Sequence, residues 1–145
     1  MIELIIDSTP LQIPGSKRKP DFVRIKCLIG FKKKDGSGYS LAEGIIDTGA
    51  YISVIPKGLS DIIEKEIMGR DRMKGLNLRD ECAIPVDVGK TICVLFDKSG
   101  NTSGDVEIFC YFANSNEVPV IIGFADIMTK FKINIDYPNR KAFLD

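Results

Sequence analysis

The segment Gly44-Ile45-Ile46-Asp47-Thr48-Gly49-Ala50 sets a carboxylic acid in a turn sequence at the end of an apolar run. A second apolar run follows, Tyr51-Ile52-Ser53-Val54-Ile55-Pro56. A carboxylate withdrawn from water is costly, so a folded chain pairs it, neutralises it or uses it. Asp and Gly are also ordinary turn formers. The strand-like residues after Ala50 argue against a simple helix cap at Asp47. Other chemistry is narrowed by what the chain lacks. With no histidine, Ser-His-Asp and Cys-His catalysis and His-ligated metals are excluded. The four cysteines, Cys27, Cys82, Cys93 and Cys110, form no Cys-x-x-Cys pair, so neither a metal site nor a redox motif is expected, and no cofactor. Cys27, Cys93 and Cys110 sit in apolar runs, as small hydrophobes do. Cys82 lies in a more polar segment, where a thiol would be open to oxidation. Asp126 reads as a residue near a helix N-terminus, and Asp136 as a turn residue.

The elements that must position Asp47 read mostly as β. Strand patterns cover Ile2–Ile6, Phe22–Ile29, Tyr39–Asp47, Tyr51–Ile55, Cys82–Val88, Lys90–Asp97, Asp105–Ala113, Val118–Gly123, Lys132–Tyr137 and Lys141–Leu144. Turns are marked by Asp35-Gly36-Ser37-Gly38, Ser99–Gly104 and Pro138-Asn139-Arg140. Two short helices are predicted. One spans Asp61–Met68, with Ser60 as N-cap and Gly69 as stop; the other spans Phe124–Lys130. Arg70–Arg79 reads as polar and irregular.

The 145 residues suit one domain over 1–145, and a hydrophobic fraction of 44% suffices for a core. Lysine plus arginine balances aspartate plus glutamate at 20 each, so no global field points to nucleic acid. Lys32-Lys33-Lys34 precedes Asp35-Gly36 and reads as a solvated hairpin tip; Lys17-Arg18-Lys19 is a second local basic run. No apolar run reaches the length of a membrane span. The N-terminus is too short and acidic for a signal peptide, and a cytoplasmic protein with reduced thiols is the expectation.

Two motifs in this order resemble one family. Ile45-Ile46-Asp47-Thr48-Gly49-Ala50 is followed, 74 residues on from Asp47 to Ile121, by Val120-Ile121-Ile122-Gly123-Phe124-Ala125-Asp126-Ile127-Met128. Over roughly Phe22 to Leu144 the chain resembles the retropepsins, single-domain aspartic proteases that act as homodimers. It looks closer to their cellular relatives, prokaryotic ones included, than to a viral enzyme. The resemblance implies a closed β-barrel subunit with a flap hairpin. It implies Asp47 as the catalytic carboxylate, paired with Asp47 of a second copy. Thr48 would bond its counterpart across the two-fold axis. Gly49 would let the substrate backbone approach, with Ala50 in the same tight loop. Ile122-Gly123 would pack beneath that loop, and Ile121 would line a substrate side-chain pocket.

Departures from the family pattern fall at two positions. Many retroviral members have Asp after Asp-Thr-Gly-Ala, paired with Arg after the later glycine; here those positions are Tyr51 and Phe124, so that salt bridge is lost. The flap equivalent falls within Leu76–Pro85, with a polar tip at Arg79-Asp80-Glu81. Tyr51, Leu78, Arg79, Asp80 and Glu81 join Gly49 and Ile121 as expected substrate contacts. Met1–Ile6 and Lys141–Asp145 are candidate dimer strands. The implied function is a homodimeric aspartic endopeptidase cutting peptides or unfolded proteins. The alternatives are a catalytically silent module of the same fold that dimerises or binds peptides or proteins, and an unrelated monomeric β-barrel binding protein.

Overall fold

The computed structural model describes residues 1–73 and 83–145. Among these residues the strands are β1 (Ile2–Glu3), β2 (Ile5–Pro10), β3 (Asp21–Lys32), β4 (Tyr39–Ile46), β5 (Ser53–Ile55), β6 (Lys65–Met73), β7 (Ile84–Phe96), β8 (Thr102–Ala113), β9 (Ile121–Ile122), β10 (Ile133–Asp136) and β11 (Lys141–Leu144). The one α-helix among the described residues is a single turn, α1 (Lys57–Ser60). The fold is therefore mostly β.

The strands form two sheets. A large sheet runs β2-β3-β4-β9-β5-β8-β7-β6, and β3 pairs additionally with β7, Leu28 to Phe31 lying opposite Phe96 to Cys93. A small sheet runs β1-β11-β10. Period-two alternation is clearest in β7, where Gly89, Thr91, Cys93 and Leu95 are buried. The main core gathers Cys27, Ile29 and Phe31 of β3, Ile55, Leu95, Ile108, Ile122 and Ile127, and it is closed from both chain ends by Ile2 and Leu144. Cys27, Cys93 and Cys110 are free, buried thiols. Burial pushes the Cys27 and Cys93 thiols up to about 12, and the Cys110 thiol higher still. Cys82 lies outside the described residues. No helix among the described residues is long and apolar enough to cross a membrane.

Both helix expectations need correction. Residues Lys65–Met73 are strand β6, paired antiparallel with β7 from Lys65–Thr91 to Met73–Ile84. The helix lies earlier, ending at Ser60 rather than starting there. Ser60 is buried, and its Oγ and carbonyl accept the Lys65 ammonium at 2.8 and 2.7 Å. Pairing with a long neighbouring strand has overridden local capping signals. The supposed helix over Phe124–Lys130 is a wide turn at Phe124–Met128, because Ala125 is extended (ψ 135°) and Asp126 is left-handed (φ 66°). The Cys82–Val88 and Lys90–Asp97 runs belong largely to one strand, β7, which passes through Gly89 without a break. A side chain at Gly89 would collide with the Glu66 carbonyl, so this glycine permits a close strand approach rather than a turn.

Candidate active site

Strands β4 and β5 are consecutive and joined by the Asp47 loop, yet they do not pair with each other. Strand β9 lies between them, parallel to β4 (Ile45–Ile121, Ile46–Ile122) and antiparallel to β5 (Val54–Ile121). Consecutive strands usually pair directly, so this insertion is a specific constraint on the loop. It is made possible by missing side chains. A Cβ at Gly44 would lie 2.6 Å from the Ile122 side chain, and one at Gly123 would collide with the Ile52 carbonyl.

The two motif segments are bound backbone to backbone. Ile45 N–H donates to Val120 O (2.9 Å) and Asp47 N–H to Ile122 O (3.0 Å). On the far side of the loop, Phe124 N–H donates to Ala50 O (2.7 Å) and Ala125 N–H to Tyr51 O (2.9 Å). Beneath it, Gly123 N–H donates to the buried Ser53 Oγ at 3.0 Å. The loop itself is a tight turn. Ala50 N–H bonds Asp47 O (3.1 Å), and Gly49 N–H donates to the Asp47 carboxylate at 2.9 Å. The carboxylate thus sits at a fixed place at the end of β4.

Asp47, Thr48 and Gly49 are exposed in the single chain. Gly44, Ile45 and Ile46 before it are buried or half-buried, and the acid is open. Beside it runs an open groove of about 510 Å³, lined by Val23, Ile25, Ile45, Ile46, Ile133 and Ile135. This wall is mostly apolar, with Arg24 also on the groove's lining.

The remaining sequence-derived residues are distributed as follows. Ile121 is half-buried in a smaller apolar cluster with Val54, Val86, Tyr111, Ile52 and Met73, and it does not line the groove. Tyr51 is exposed, and its hydroxyl lies 3.1 Å from that of Tyr111 with the rings edge to face. Burial first, then the bond with Tyr51, raises the Tyr111 phenol well above its ordinary value. Phe124 is exposed and, as its identity dictates, makes no charge pair. Leu78, Arg79, Asp80 and Glu81 lie outside the described residues; their flanking arms are β6 and β7.

Three contributors escaped the sequence reading. Ser53 is a hydroxyl inside an apolar run, a weak signal for a buried acceptor. Asp126 is no helix residue; from its left-handed turn its carboxylate accepts Phe109 N–H at 2.8 Å and ties the 124–128 turn to β8. The groove residues Val23 and Ile135 come from strands far apart in sequence. Among the described residues no cluster of metal-ligating side chains occurs. A scan of protein-family models and a search of curated proteins each find no match to this chain.

Proposed function

We propose that this chain is a retropepsin-like aspartic endopeptidase that acts as a homodimer through an Asp47–Asp47 dyad. One observation carries the reading. A single acid, held by a turn and by backbone bonds on both flanks, stands open at a strand end beside an apolar groove. The additional β3–β7 pairing supports a closed β-barrel for the subunit. The β6–β7 ribbon supports a flap, since its Met73 and Val86 share one apolar cluster with Ile52 and Ile121.

The chemistry follows from two carboxyl groups meeting at a two-fold axis. Close together they do not both ionise readily, so one carries a proton and the other does not. The ionised one takes a proton from a water as its oxygen attacks the peptide carbonyl carbon. The protonated one gives its proton to the carbonyl oxygen, forming a tetrahedral diol. Collapse of the diol passes a proton to the nitrogen, breaks the C–N bond and restores one proton to the pair. The titration belongs to the pair and places the optimum in the acidic range.

The test is cleavage of denatured casein from about pH 3 to about pH 7 by wild type and Asp47→Asn. Acid-range cleavage that vanishes in a folded Asp47→Asn protein is the expected result. No cleavage by a folded wild-type dimer would instead favour the silent binding module.

A further inference from the structure

Strand β10 has an unused edge. It lies at the margin of the small sheet and pairs only with β11 among the described residues. Lys132 and Asp145 exchange both backbone bonds, at 2.7 and 2.9 Å. Antiparallel alternation therefore directs the N–H and C=O groups of Ile133 and Ile135 outward. An exposed edge of this kind is a template for another strand.

The sequence of that edge is self-complementary. It reads Lys132-Ile133-Asn134-Ile135-Asp136. Against a two-fold copy with Asn134 opposite Asn134, Lys132 stands opposite the partner's Asp136, and Ile133 opposite the partner's Ile135. The isoleucine pairs are the positions whose backbone groups point outward, so register, charge and hydrogen bonding agree. The Asp136 carboxylate is held at the end of the strand by Asn139, whose backbone N–H and Nδ2 it accepts at 3.3 and 2.8 Å. Ile135 is 56% exposed in the single chain, and it lines the groove that reaches Asp47 and Thr48.

The chain ends do not offer the same surface. Ile2, Leu4, Ala142 and Leu144 are consumed by the chain's own core, and β11 has β1 on one edge and β10 on the other. We infer that β10 is the dimerisation strand: two copies pair their β10 edges antiparallel about Asn134, and each copy covers the other's groove beside Asp47. The inference rests on the shared-dyad reading, which requires a second copy at this end of the molecule. An isologous edge-to-edge contact closes at two copies.

Sedimentation equilibrium on wild type, Lys132→Asp, Asp136→Lys, the double exchange and Ile135→Asp tests it, with circular dichroism confirming the fold. Each single reversal sets like charges opposite one another on both sides of the axis and raises the dimer Kd by roughly tenfold. The double exchange restores wild-type affinity, and Ile135→Asp yields monomers. A wild-type dimer left unchanged by all the variants overturns the β10 interface while leaving the dyad reading intact. A wild type that stays monomeric at its highest soluble concentration also overturns the interface; Asp47-dependent casein cleavage then judges the dyad separately.

Discussion

The β4–β9–β5 region is built largely of apolar residues around the Asp47 loop, whereas β6 of the β6–β7 ribbon carries Lys65, Glu66, Arg70, Asp71 and Arg72. In the first, short strands are locked by backbone bonds across three segments, with close approaches at Gly44 and Gly123; the ribbon has such an approach too, Gly89 against the Glu66 carbonyl. In the second, β6 is exposed over nearly its whole length, holding to one long partner strand. The first holds the Asp47 loop in place; the second reaches from the core, where β7 places Cys93 and Leu95, out to an exposed β6. A peptidase needs both, a preorganised acid and a cover that admits an extended chain.

The sharpest way to break this contrast is to add one methyl group to each region. Gly123→Ala drives a Cβ into the Ile52 carbonyl, and a loss of about 3 kcal/mol in urea unfolding is expected. Gly69→Ala in β6 meets nothing within 4 Å and should change stability by less than about 0.5 kcal/mol. Equal effects at both sites would erase the distinction. Next in size is Ser53→Ala, which strips the Gly123 N–H of its buried acceptor. A loss of about 1 to 2 kcal/mol is expected, together with faster hydrogen exchange at Gly123.

Asp97 provides a reference away from both regions. Its carboxylate accepts the N–H groups of Glu3, Ser99 and Asn101 and the Asn101 amide. The Asn101 amide first, then Glu3 N–H, hold it down to about 2. A carboxylate with a lowered native pKa adds stability above its unfolded value of about 4 and loses it as pH falls through the native value. Wild type should therefore melt above Asp97→Asn at neutral pH. The gap should close as the pH drops from about 4 toward about 2. The smallest expected effect is at Tyr51→Phe, which removes the hydroxyl contact with Tyr111. Ultraviolet titration should show the Tyr111 phenol lowered only in part, because burial is the larger cause of its elevation.

Most strands were legible because alternation and turn residues agree, as at Asp35–Gly38, where Gly36 and Gly38 take positive φ and Lys33 N–H reaches Gly38 O. The helix over Asp61–Met68 was misread because its cap and apolar spacing are local signals, whereas β6 is decided by pairing with β7. Asp47 was legible as a chemical centre from its setting between apolar runs. Its surroundings were less so. The insertion of β9 between β4 and β5 joins residues about seventy positions apart, and nothing in either segment alone encodes that choice. The groove has the same origin, since Val23 and Ile135 become neighbours only through packing of two sheets.

The most direct test of the shared dyad is a subunit-poisoning titration. Wild type and Asp47→Asn are mixed at constant total concentration, well above the dimer Kd, and casein cleavage is followed against the wild-type fraction. If each active site draws one Asp47 from each copy, activity falls as the square of that fraction, because mixed dimers hold a single carboxylate. A strictly linear fall would show that one copy suffices and would contradict the account.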